Sequence, residues 1–128
     1  MSRRAGEQER RGRSPLDGSW RSRDDASMRI RVVDSHTEGE PTRVVIEGTP
    51  DLGSGSVAEQ ASILARDHDA LRRGLMLEPR GSDIVVGAFL VATPTPAADV
   101  GVVFVNNAGV LGMCVHGTIG VVRTLQHL

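Results

Sequence analysis

Aromatic residues are nearly missing from this chain: two Phe, one Trp and no Tyr in 128 residues. A surface that stacks unpaired bases needs such rings, so single-stranded nucleic acid is not an expected partner. The core must be assembled from Val, Leu, Ile and Ala instead. Lysine is absent too, since all 15 basic residues are Arg. That removes any lysine Schiff base, whether to a carbonyl substrate or to pyridoxal phosphate. Cysteine occurs once, as Cys114, which rules out an internal disulfide, a CxxC redox pair and a cysteine-rich zinc site. A net charge of −1 offers no basic field for nucleic acid or an acidic membrane. No apolar run approaches the roughly 18 residues that a membrane span requires. The Arg-rich start lacks the apolar stretch of a secretory signal, and Glu7, Glu9, Asp17, Asp24 and Asp25 do not suit a transit peptide. The expected compartment is the cytoplasm.

Two regions differ in composition. Residues 1–27 hold seven Arg and five acids, with Leu16 and Trp20 as their only large apolar residues. Such a stretch cannot bury enough surface to offset its ordering entropy, and a disordered tail is expected. Regular patterning begins at Met28, which is read as the natural start. The remaining 28–128 make one domain. Ile30–Asp34 reads as a strand, Ser35–Pro41 as a polar loop and Thr42–Glu47 as a second strand. Ser56 with Glu59 forms a capping box ahead of one helix, whose apolar stripe runs through Val57, Ala61, Leu64, His68, Leu71 and Leu75 and stops near Gly74. Asp83–Thr93 is apolar enough for a strand buried on both faces. Val100–Val105 is another strand, Asn106–Gly109 a turn, and Cys114–His127 a helix. The apolar face Ile119, Val122 and Leu125 of that helix calls for a covering sheet that the chain does not supply, so the reading is of part of a larger unit.

The chemistry concentrates around Cys114. A buried strand there runs through a glycine-bearing turn into a helix that starts at a thiol. The positive end of a helix dipole favours a thiolate, and the unpaired N–H groups of the first turn make an anion site. His116 is placed to bond a ligand or tune the sulfur. A base next to a carboxylate cradle is what removal of an amino-acid α-proton needs. Taken singly, each feature has a plainer reading: a lone Cys as a small buried hydrophobe, a lone His as a cap or packing residue.

Met113-Cys114-Val115-His116-Gly117-Thr118 resembles the Met-Cys-Gly-His-Gly-Thr signature of the proline racemase superfamily, and Asn106-Asn107 with Leu111-Gly112 leans toward its hydroxyproline epimerase branch. Asp34–Arg43 (DSHTEGEPTR), Glu78–Asp83 (EPRGSD) and Ala97–Phe104 resemble three further family segments in the same order. The resemblance implies an α/β (α+β) fold: a diaminopimelate epimerase-like lobe, with curved mixed sheet around a central helix, here incomplete. It implies cofactor-independent, metal-free epimerisation of 4-hydroxyproline at C2 by two opposed thiols, one from each of two lobes. Cys114 would be the first-lobe acid/base. Val115, His116 and Gly117 would bind substrate, an imino acid such as hydroxyproline or proline. His36 and Ser82 are weaker candidates, and Arg43 shares the opening motif with His36. A homodimer is compatible with the full-length protein.

Two residues depart from the family pattern: Val115 stands where Gly is usual, stiffening the turn, and Glu38 replaces a common Gly. The second lobe, with its opposing acid/base, is missing from these residues, so no epimerase activity is expected of the 128-residue chain alone. Alternatives within the family are proline racemase and trans-3-hydroxyproline dehydratase. From other classes come a non-catalytic truncated product and a redox-sensing thiol protein.

Overall fold

The computed structural model describes residues 28–128. The expectations for 1–27, the tail and the Met28 start, lie outside the described residues. The elements are β1 (Arg31–Thr37), β2 (Glu40–Glu47), α1 (Val57–Asp67), α2 (Asp69–Met76), β3 (Val86–Val91), β4 (Gly101–Val105), β5 (Val110–Leu111) and α3 (Val115–His127). The five strands form one mixed sheet in sequence order. Pairing is antiparallel except between β2 and β3. Parallel neighbours need a crossover, which α1 and α2 provide.

Strand alternation divides the core between the two faces of the sheet. Val45, Phe89, Val91, Val103 and Val105 point to one side and pack with Leu64, Leu75 and Met76 of α1 and α2. Val44, Val86, Ala88 and Phe104 point to the other, where Val121 of α3 meets them. Phe89, Leu64 and Met76 are fully buried; each contributes roughly 1.5–3 kcal/mol relative to exposure. The sheet is thus the middle layer of three, and aliphatic side chains fill each interface around a single phenylalanine, Phe89 on one side and Phe104 on the other.

Ser56 caps α1 with both halves of the expected box: its hydroxyl accepts from the Glu59 N–H at 3.2 Å, and the Glu59 carboxylate accepts from the Ser56 N–H at 2.7 Å. The single helix expected beyond it is two. His68, at φ −131° and ψ 23°, ends α1, and α2 starts at the next residue. The apolar stripe runs on unbroken across this joint. Nor does Gly74 stop α2; it runs to Met76, and Leu77 turns extended ahead of Glu78-Pro79.

The opening segment is also more regular than its composition suggested. Instead of a loop over 35–41, β1 runs to Thr37 and β2 starts at Glu40. A two-residue turn joins them, with φ +51° at Glu38 and +88° at Gly39. Positive φ at both positions suits the right-handed twist of a hairpin, though Glu38 adopts it as a non-glycine residue. β3 is shorter than the Asp83–Thr93 expected and is buried on both faces as expected. β5, two residues long, was not anticipated.

Candidate active site

Pairings of Thr37 with Glu40, Thr42 with Val86 and Gly87 with Val105 bring the β1–β2 turn, the approach to β3 and the β4–β5 turn to one end of the sheet. The start of α3 joins them there, because the Thr37 hydroxyl donates to the His116 carbonyl at 3.3 Å. The α3 face that lies on the sheet is nearly bare: Gly117, Gly120, Val121 and Thr124 are its buried residues. A Cβ on Gly117 would sit 2.8 Å from the Phe104 ring and 3.1 Å from the Cys114 sulfur. A Cβ on Gly120 would sit 2.9 Å from Cβ of Thr42. These glycines let the helix come down onto β1, β2 and β4 and fix where its first residue falls. The apolar face named from the sequence is the other one. Ile119, Val122 and Leu125 remain 46%, 48% and 42% exposed.

Cys114 is the N-cap of α3, in extended backbone conformation, with its side chain half-buried against the Phe104 cluster. Its sulfur accepts a hydrogen bond from the Gly117 N–H at 3.3 Å. It therefore does what a serine or aspartate oxygen does at a helix start. The His116 ring lies alongside, with Nδ1 3.5 Å and Nε2 3.9 Å from Sγ. The Cys114 carbonyl is held by the Thr118 N–H at 3.0 Å and the Thr118 hydroxyl at 2.7 Å, which sets the first turn rigidly. Among the described residues no protein acceptor meets the N–H of Val115 or of His116. Two first-turn donors with the helix dipole behind them are thus left without an internal partner near the sulfur. Met113 and Val115 are exposed on either side of Cys114, which is itself half-buried.

The weaker candidates have local work. His36 is exposed, and its Nδ1 accepts from the Gly39 N–H at 3.1 Å, closing the β1–β2 turn. Arg43 spends its guanidinium on Asp34, at 2.9 and 2.8 Å, and on the carbonyls of Leu75 and Arg80. These bonds hold the opening hairpin to the far end of α2, and the Asp34 bond raises the guanidinium's pKa. Ser82 is half-buried in the loop before β3, and no hydrogen bond joins it to Cys114 or His116. Thr37, by contrast, touches the helix start and was not singled out from the sequence. Its place in the DSHT stretch was visible; its reach to residue 116 was not. Among the described residues no group of three His, Cys, Asp or Glu is arranged to hold a metal ion. None of their helices is long and apolar enough to cross a membrane.

Known proteins resemble this chain in sequence and in fold. The chain is 59% identical over 100 residues to a 4-hydroxyproline 2-epimerase of Burkholderia cenocepacia and 61% identical over 100 residues to one of Pseudomonas fluorescens, in each case over 78% of this chain and 32% of the relative. It therefore spans about a third of the length of the relatives it matches. Among solved structures, a hydroxyproline epimerase from Agrobacterium vitis with bound trans-4-hydroxy-L-proline superposes with a TM-score of 0.68 at 30% identity, covering 75% of this chain and 29% of that one. A probable proline racemase from Agrobacterium radiobacter K84 with bound carbonate gives 0.69 at 34% identity, covering 76% and 29%. The described fold, from β1 to the helix that Cys114 caps, lies almost wholly within residues 32–128, which the proline racemase family model matches, and the chain belongs to that family.

Proposed function

We propose that residues 28–128 form the first lobe of a 4-hydroxyproline 2-epimerase, in which Cys114 serves one face of the substrate, removing the α-proton in one direction of the reaction and delivering a proton in the other. The observation that carries this reading is the half-buried sulfur at the start of α3, beside the free N–H groups of Val115 and His116. The substrate carboxylate falls to those two donors, because the Gly117 N–H is already directed at the sulfur. Their charge opposes the negative charge that grows on the carboxylate as the α-carbon is deprotonated. A sulfur within hydrogen-bond reach of the α-proton completes the general base. The His116 ring, next to both, stands where the substrate amine would come. Val115 narrows the approach with its branched side chain, while its backbone N–H stays available.

Inversion also needs a proton donor on the opposite face, which one thiol cannot supply. In this reading the opposing group belongs to a second lobe, and residues 1–128 alone give no epimer. Grafting tests the assignment. Residues 32–128 would replace the matching part of the Burkholderia cenocepacia relative, and conversion of trans-4-hydroxy-L-proline would be followed by chiral chromatography. The graft should produce the C2 epimer, and Cys114→Ser within it should lower the rate at least about a hundredfold. A soluble, cooperatively folding graft that is inactive, or one that loses nothing with Cys114→Ser, contradicts the reading.

A further inference from the structure

Arg72 carries a buried charge that the proposed chemistry does not use. It lies in α2, on the sheet face opposite α3, and is only 7% exposed. Its guanidinium is shared among three groups. Nε and Nη2 donate to the two oxygens of Asp69 at 2.6 and 3.2 Å. Nη1 donates to the carbonyls of Asn106 and Asn107, each at 2.9 Å. These are successive carbonyls of the β4–β5 turn. Asn106 closes the same turn from within: its side-chain oxygen accepts from the N–H groups of Ala108 and Gly109 at 2.9 and 3.0 Å, and its own N–H donates to the Gly109 carbonyl at 2.8 Å.

The clamp matters because the strand beyond the turn is so short. β5 pairs with β4 through two residues only, Val110 and Leu111, and Cys114 comes three residues after it. A strand of that length has little hold of its own on its register. The turn before it and the helix after it must supply the constraint. Helix α3 is anchored by its glycine face, and the turn is anchored by Arg72. A planar fork that receives a carboxylate on one edge and reaches two carbonyls on another is a geometry that lysine cannot reproduce. A buried charge costs desolvation that an apolar residue would avoid, so its return lies in fixing one arrangement of the chain.

We infer that Arg72 is a positioning residue for the thiol: it fixes the Asn106–Gly109 turn, through it β5, and so the place of Cys114 at the start of α3. The functional meaning of this role rests on reading Cys114 as the acid/base, but its test reads geometry and not turnover. Native-state amide hydrogen exchange on the 128-residue chain would compare wild type with Arg72→Met, which keeps an apolar stem, and Arg72→Lys, which keeps the charge. The reporting amides are Asn106, Gly117, whose N–H holds the Cys114 sulfur, and Thr118, whose N–H holds the Cys114 carbonyl. Amides of β3 serve as the reference for global opening, and Leu64→Val in the α1 core serves as a generally destabilised control. Arg72→Met should speed exchange at the three reporters about tenfold more than at β3, the size of effect expected for one lost charged hydrogen-bond pair. Arg72→Lys should show the same pattern about threefold, and Leu64→Val should speed reporters and β3 alike. If Arg72→Met does not fold, Arg72→Lys decides. Exchange that changes equally at reporters and β3 in the Arg72 variants, or not at all, overturns the inference and leaves the epimerase reading standing.

Discussion

A cysteine is a small apolar residue in most settings, and nothing in its own chemistry marks Cys114 as different. Its place does. At the N-cap, the sulfur takes a backbone N–H that would otherwise be unpaired, and among the described residues the N–H groups of Val115 and His116 have no acceptor. The nearby ring of His116 is 3.5 Å away at its closer nitrogen, a contact rather than a strong bond. Other single residues act at a distance from the thiol. Asp69 is the carboxylate half of the Arg72 clamp. The Arg72 hydrogen bond holds its carboxyl below the usual range, against the opposing pull of desolvation. Between its folded and ordinary pKa values the folded state binds fewer protons than the unfolded chain, so stability falls as pH falls there. The contribution is complete at neutral pH, begins to fade through the ordinary carboxylate range and is gone below the folded value. Urea midpoints measured from about pH 7 down to about pH 3 should therefore decline more steeply in wild type than in Asp69→Asn. Glu59 and Asp67, which titrate low for reasons of their own, remain in both proteins and cancel in the comparison. Parallel curves would mean that the pair contributes nothing to folding.

At the scale of elements, α3 places the thiol by how closely it approaches the sheet. Gly120 lies over Thr42 and Ser35, which face each other across β1 and β2. The hydroxyls of Ser35, Thr42 and Thr124 are buried there without a hydrogen-bond partner. Crowding of a methyl group against Cβ of Thr42 costs about 1–3 kcal/mol, and the gain in helix propensity from Gly to Ala offsets up to about 1 kcal/mol. Gly120→Ala should therefore destabilise the chain by roughly 1 kcal/mol, measured as a lower urea midpoint at unchanged slope. An equal or higher midpoint would show that the helix can lift without cost. Legibility from the sequence also divides by element. The α1 cap could be read because Ser56 and Glu59 are three residues apart, and β3 because so apolar a run must be covered on both faces. The break at His68 could not, since Leu64, Leu71 and Leu75 keep helical spacing across it. The hairpin over 31–47 was hidden by polar residues on its exposed side and by Glu38 at a turn position that glycine or asparagine usually marks. β5 is too short to leave a pattern. The bonds from Arg72 to Asn106 and Asn107 span 34 and 35 positions, a separation that no local signal bridges.

For the whole molecule, the three layers collect four chain segments at one end of the sheet and leave the outer face of α3 open. The family and the part proposed for the cysteine were readable from four ordered motifs. Which first-turn N–H groups keep no internal acceptor was not readable, because that depends on where the sulfur turns. Everything proposed for this site depends on a carboxylate binding next to the thiol at the start of α3. The rate at which iodoacetamide alkylates Cys114, followed by intact mass, tests it on the chain as it stands. Trans-4-hydroxy-L-proline at tens of millimolar should slow the reaction, and 3-hydroxypyrrolidine, which keeps the ring, amine and hydroxyl without the carboxylate, should not. Equal rates with and without hydroxyproline, or equal slowing by both compounds, would contradict the account.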